Sequence, residues 1–126
     1  MNQAVTACVI VIGNEILSGR TQDTNLNHIA TTLGGWGIQL HHARVIPDDE
    51  EIIVNTINEV RTTYDYIFTT GGIGPTHDDI TAVCIANAFA VPVIQHPEIA
   101  ERIRQRPAPD DIMASRLLMA RVPEGA

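Results

Sequence analysis

The stretch Tyr66-Ile67-Phe68-Thr69-Thr70-Gly71-Gly72-Ile73-Gly74-Pro75-Thr76-His77-Asp78-Asp79-Ile80-Thr81 decides how the rest of the chain is read. Its apolar, β-branched start predicts a strand over 66–70, and a helical pattern runs from Asp79 to Ala90. A turn between strand and helix is where open α/β sheets hold their ligands, outside the carboxyl ends of the strands. Glycines 71, 72 and 74 let backbone amides approach an anion closely, and the following helix adds its positive end. Two aspartates at that helix start would repel a bare phosphate. A divalent cation between carboxylates and phosphate removes the conflict. The segment therefore predicts a site for a nucleotide-like phosphate with Mg²⁺ or another divalent cation.

Toward the N-terminus, Ala4 to Ile12 is a continuous apolar run closed by Gly13-Asn14, which predicts a strand buried on both faces of a parallel sheet. Asp23 or Thr24 is placed to cap a helix with Leu26, Ile29, Ala30 and Leu33 at helical spacing and Gly34-Gly35 as its stop. Ile38 to Ile46 alternates, as a strand nearer an edge does. Pro47-Asp48-Asp49 then turns the chain into a helix over 50–62, with Ile52, Ile53, Thr56, Ile57 and Val60 on one side. Toward the C-terminus, a short strand is predicted over 91–94, a solvent-facing helix over 97–106, and a last helix over 110–120 after Pro107-Ala108-Pro109.

Strands alternating with helices make βαβ units with right-handed crossovers. The predicted fold class is α/β, with a mostly parallel central sheet, and residues 1–126 are expected to form a single domain. Val122 to Ala126 reads as a turn, so further strands are expected to be missing after it.

Composition narrows the chemistry. With 44 % apolar and 18 % charged residues, the chain is of ordinary globular type. No apolar run approaches the ~20 residues of a membrane span, and no signal-peptide pattern opens the chain. Cys8 and Cys84 lie in apolar segments and read as buried free thiols, which points to a cytoplasmic location. A net charge of −7 argues against a nucleic-acid surface. All 8 basic residues are arginine, so a phosphate-loop lysine and Schiff-base chemistry are both excluded.

Three loops are expected to meet at the strand ends: 13–24, 47–49 and 71–79. Asp48 alone reads most simply as an N-cap after Pro47, and Asp78 and Asp79 as caps of their own helix. Each place, however, holds two aspartates, and one cap leaves the other free to bind metal or act as a base. Gly-Gly-x-Gly-Pro suits a rigid anion cradle better than a turn needing a single glycine. Glu15 and Ser18 could simply satisfy nearby amides, and Arg20 is either a phosphate clamp or a surface residue. His77 could donate to phosphate, while the other histidines lack zinc-ligand spacing. Trp36, between Gly35 and Gly37, reads as a core or edge anchor.

These motifs carry a resemblance. Gly13-Asn14-Glu15-Ile16-Leu17-Ser18-Gly19, Asp23-Thr24-Asn25, Asp48-Asp49-Glu50 and Thr70 to Thr81 follow in the order found in the molybdopterin-binding (MoaB/Mog-like) domain. Within it, the chain is most similar to the N-terminal domain of competence/damage-inducible (CinA-like) proteins. The resemblance implies a three-layer α/β sandwich. It also implies one of two activities: adenylylation of molybdopterin with ATP and Mg²⁺, or hydrolysis of ADP-ribose and related dinucleotides. The Gly-Asn-Glu-Ile-Leu-Ser-Gly, Asp-Thr-Asn and Pro-Thr-x-Asp-Asp signatures favour the second.

The family's essential aspartates match Asp48 and Asp79, here expected as metal ligands and catalytic groups. Gly71, Gly72, Ile73, Gly74, Pro75 and Thr76 are expected to cradle the diphosphate, with Thr76 and Ser18 donating hydrogen bonds. Glu15, Asn25 and Asp78 would contact the nucleotide or pterin. Self-association is expected from relatives that form dimers and trimers. Relatives also continue past a Pro-x-Gly-Ala segment, matched here by Pro123 to Ala126, into a further strand and an Ala-Pro-Gly loop.

Overall fold

The computed structural model describes residues 4–126. Its elements are β1 (Val5–Ile12), α1 (Asn14–Leu17), α2 (Asn25–Gly35), β2 (Ile38–Ile46), α3 (Glu50–Val60) and β3 (Tyr66–Thr70). They continue with α4 (Thr81–Phe89), β4 (Val93–Gln95), α5 (Pro97–Arg104), α6 (Asp110–Leu117), a 3₁₀ turn (Leu118–Ala120) and β5 (Arg121–Pro123). The chain divides into two compact units, one ending at Gly71 and one running from Gly72 to Ala126.

In the first unit, β1 lies between β2 and β3 and pairs in parallel with both. The apolar run predicts this place, because a central strand must be covered on both faces. Every residue from Ala7 to Ile12 is buried. The connection from β1 to β2 and the connection from β2 to β3 run in opposite directions across the sheet, so right-handed crossovers set α2 and α3 on opposite faces. The predicted α/β layering with a parallel sheet is thus the one found.

Helix α3 turns Ile53, Thr56, Ile57 and Val60 inward, and each such aliphatic side chain is worth roughly 1.5–3 kcal/mol of burial. The buried Thr56 costs little, since its hydroxyl donates to the Ile52 carbonyl at 2.6 Å. Arg44 on β2 grips Glu59 on α3 through two 2.9 Å hydrogen bonds. The outer strand β2 alternates between half-buried and exposed residues, as its sequence does.

Several local expectations are corrected. Gly34 and Gly35 lie inside α2, and the stop comes at Gly37, whose φ of 76° turns the chain. Trp36 is no core anchor. It follows the last turn of α2 and is 72 % exposed. Its N–H is tied back to the Leu33 carbonyl at 3.0 Å, which holds the residue beyond the helix's apolar face.

The second unit contains α4, the antiparallel pair β4–β5, and helices α5 and α6. Val122 and Pro123, expected to belong to a terminal turn, instead join Arg121 in β5, with Val122 opposite Ile94. The apolar Val122 is half-buried in that pairing, and the bend to Glu124 and Gly125 comes after it. Both cysteines are buried thiols outside any disulfide, as expected. Burial pushes the Cys8 thiol up, against a smaller opposing pull from Arg44, which keeps it protonated and unreactive. No described helix is long and apolar enough to cross a membrane.

Candidate functional site

The candidate residues fall into two clusters, one in each unit. The first forms where β1 and β2 end. The Gly13 N–H donates to the Ile46 carbonyl at 3.0 Å, which carries the ladder one step past β1. Asn14 and Asp48 then clasp each other. The Asn14 N–H donates to Asp48 Oδ2 at 3.0 Å, and the Asp48 N–H donates to Asn14 Oδ1 at 3.1 Å. Sequence reasoning counted Asn14 as a loop residue only; its place beside Gly13 at the end of a buried strand was the available signal.

The expectation that Asp48 caps α3 is corrected. Asp49 is the N-cap, accepting from the Ile52 N–H at 3.1 Å. Asp48 is one residue too early to reach those amides. Among the described residues its Oδ1 accepts no hydrogen bond, so that oxygen is available to a ligand.

Glu15, half-buried in α1, folds back over Gly13. A Cβ on Gly13 would lie 2.6 Å from Glu15 Oε1, so any larger residue there would require this carboxylate to shift. The Ser18 hydroxyl donates to the Glu15 carbonyl and accepts from the Arg20 N–H, both at 3.3 Å. Asn25 opens α2 with its side chain exposed. Asp23 accepts from the N–H groups of Asn25 and Leu26 at 3.3 and 3.1 Å, so it supplies the expected cap. Gly71 closes this unit. With a φ of 91°, it packs so closely on the Ile12 carbonyl that any Cβ would collide with that oxygen.

The second cluster is the loop 72–81. The Thr81 N–H donates to the Gly72 carbonyl at 3.1 Å, which closes the loop. Gly72 has a φ of 66°, and its missing side chain makes way for the buried Thr81 hydroxyl. Asp78 and Asp79 do not cap α4, whose N-cap is Ile80 with no side-chain hydrogen bond. Both precede the first turn, and Asp79 reaches backwards instead. Asp79 Oδ2 accepts from the Thr76 N–H at 2.9 Å and the Thr76 hydroxyl at 2.8 Å.

These donors hold the Asp79 carboxyl below its ordinary range. The Thr76 N–H contributes most, partial burial opposes it, and the Thr76 hydroxyl, the Gly74 N–H and Arg121 assist. Arg121, on β5, was not anticipated as part of this cluster. Gly74 lacks the Cβ that would sit 2.8 Å from Asp79 Oδ2. Asp78 contacts His77 at 3.3 Å, and both side chains stand in solvent. Ile73 is 67 % exposed at the loop surface, and Pro75 is exposed beside it.

Chemically, this is a loop whose own carboxylate consumes two of its amides. Gly74 and Thr76 donate to Asp79 and Pro75 has no N–H, so these three positions offer an incoming anion no uncommitted amide. Among the described residues no three His, Cys, Asp or Glu side chains gather as a metal cage. Mg²⁺ does not need one, because it takes one or two carboxylates and completes its shell with water and phosphate. Ionised Asp79 and the uncommitted Oδ1 of Asp48 are donors of that hard-oxygen kind.

Residues 8–123 match the family model described as "Probable molybdopterin binding domain". The chain belongs to this family. Among solved structures, the molybdopterin-binding domain resembles the protein CinA from Thermoplasma acidophilum, at 32 % identity and a TM-score of 0.84. That match covers 96 % of this chain and 72 % of the other. A CinA-like protein from Syntrophotalea carbinolica is 35 % identical over 81 % of this chain and 25 % of its own length. A protein named "Probable FAD synthase" from Caenorhabditis elegans is 39 % identical over 83 % of this chain and 20 % of its own. Solved MoaB and Mog proteins share the fold at lower likeness. The chain spans from a fifth to about half the length of the curated relatives it matches.

Proposed function

We propose that this CinA-like molybdopterin-binding domain is a metal-dependent nucleotide pyrophosphatase acting on ADP-ribose or a related dinucleotide. The observation that carries the proposal is Asp79, a carboxylate held ionised within a glycine-rich loop at the start of α4. In the reaction, a water oxygen forms a bond to one phosphorus of the diphosphate and the bridging P–O bond breaks. ADP-ribose and water thus give AMP and ribose 5-phosphate.

Asp79 in the second unit is a residue that would hold a divalent cation, which neutralises charge developing on the phosphoryl oxygens, and Asp48 in the first unit is a carboxylate donor of the same kind. The Gly72 and Ile73 amides would contact the diphosphate, and Ile73 offers an exposed apolar surface to the rest of the nucleotide. Thr76 positions Asp79 by donating twice to one oxygen. Ser18, Glu15 and Asn25 remain candidates for sugar or base contacts.

The test is AMP release from ADP-ribose with Mg²⁺ or Mn²⁺, run beside Asp79→Asn. Metal-dependent AMP that vanishes in the variant, with its circular dichroism unchanged, is the expected result. Wild-type rates in a folded Asp79→Asn would overturn the reading. The description of the family model favours a second reading, in which the ligand is molybdopterin and the reaction, if any, adenylylation. That reading predicts pterin binding by calorimetry and no AMP from ADP-ribose. Assembly into a homo-oligomer belongs to the same proposal, and sedimentation measures it directly.

A further inference from the structure

Five of the chain's eight arginines lie between residues 102 and 121, in the second unit. Two of these five are tied down: Arg104 donates to Gln95 Oε1 at 3.4 Å, and Arg121 donates to the Leu118 carbonyl at 3.1 Å. The other three, Arg102, Arg106 and Arg116, line one groove of about 510 Å³ together with Ile99, Ile103 and Met119. Among the described residues, none of the three takes part in an ion pair. Their one link is Arg116 Nη1 donating to the Arg106 carbonyl at 3.4 Å, which ties the end of α6 to the chain just beyond α5.

A solvated basic surface is the plainer account, and the helix dipoles favour cations at the ends of α5 and α6. The dipoles explain Arg102 and Arg116. They do not explain Arg106, which lies beyond α5, nor the apolar lining shared by all three. In a chain of net charge −7, three guanidiniums have been gathered without a carboxylate in the groove lining. Planar guanidiniums match phosphate oxygens with paired hydrogen bonds, and the aliphatic floor suits an apolar body attached to that head.

We propose that this groove binds an amphipathic organic phosphate: a phosphate head held by Arg102, Arg106 and Arg116, with an apolar body on Ile99, Ile103 and Met119. The volume is that of a small-molecule site. The proposal is independent of the pyrophosphatase reading, since it uses neither Asp48 nor Asp79 and needs no metal.

The test follows the arginine Nε–Hε NMR signals in a chain without lysine, with metal absent and in the Asp79→Asn background. Inorganic phosphate and phenyl phosphate are the probes. Saturable shifts confined to Arg102, Arg106 and Arg116 are expected, with phenyl phosphate binding about tenfold tighter because its ring is buried. Arg102→Gln combined with Arg116→Gln should abolish saturation for both probes, whereas Arg116→Lys, which keeps the charge, should retain part of it. Circular dichroism confirms that the variants fold. Linear, unsaturable shifts overturn the proposal. So do equal affinities for the two probes, or saturation that persists in the double variant.

Discussion

Asp48-Asp49 and Asp78-Asp79 are the same dipeptide, each a short step ahead of a helix. In the first pair the labour is divided: Asp49 caps α3 and Asp48 clasps Asn14. In the second pair neither residue caps. Asp79 turns back onto Thr76, and Asp78 stands in solvent beside His77. The difference lies in spacing. Asp49 immediately precedes the first residue of α3, whereas Asp79 is followed by Ile80 before α4 begins at Thr81. One residue decides whether a carboxylate reaches a helix's free amides or its own loop. A doubled aspartate therefore marks a polar turn, and only the local geometry says which oxygen is left for a ligand.

The largest effect should separate the two members of the second pair. Asp79→Asn is expected to lower AMP release by about 100-fold or more, and Asp78→Asn by less than about tenfold, in the same steady-state assay. Comparable losses in both would break the distinction drawn here.

Next comes the backbone beneath the glycine loop. Gly71→Ala should cost about 2–4 kcal/mol in denaturant unfolding, since it adds a collision with the Ile12 carbonyl to an unfavourable φ. Gly19→Ala has a similar φ of 80° but no atom within 4 Å, and should cost only about 1 kcal/mol. In the first aspartate pair, Asp49→Ala should lose about 1 kcal/mol of stability through its cap, with turnover little changed. Asp48→Ala should reverse that pattern, losing turnover with α3 still capped.

A smaller effect is set by pH. The Asp79 pKa is lowered on folding, so its contribution is fully present above its ordinary value of 3.8. That contribution fades only as pH falls through the lower, folded value. Asp79→Asn should therefore lower stability by a constant amount across the neutral range and flatten the acid limb of the pH–stability profile. Smallest of all, Trp36→Ala should stay within about 0.5 kcal/mol of wild type in thermal melts, because the indole is mostly in water.

Much of the architecture could be read from the chain because burial writes periodicity into sequence. The unbroken apolar run of β1, the alternation of β2 and the helical spacing of Ile53, Ile57 and Val60 each report how many faces are covered. The site was less legible. Glycines 71, 72 and 74 could be recognised as necessary, but not the partner each one makes room for: the Ile12 carbonyl, the Thr81 hydroxyl and the Asp79 carboxylate. Arg121 lies 42 residues beyond Asp79 in the numbering, and no local pattern links the two. Trp36 was misread because a large aromatic between glycines looks like an anchor, while Gly37 ends α2 just where the indole passes into solvent.

By itself, then, the sequence determined the alternation of strands with helices α2, α3 and α4, the parallel character of the central sheet, and the loops that carry chemistry. Those follow from side-chain periodicity and from the φ angles that only glycine takes easily. Tertiary structure alone decided which aspartate caps and which is left to a ligand, which amides are already spent on Asp79, and that three distant arginines share a groove with an apolar floor. Hydrogen bonds are directional and short, so their partners are fixed only once the backbone has brought donor and acceptor within about 3 Å.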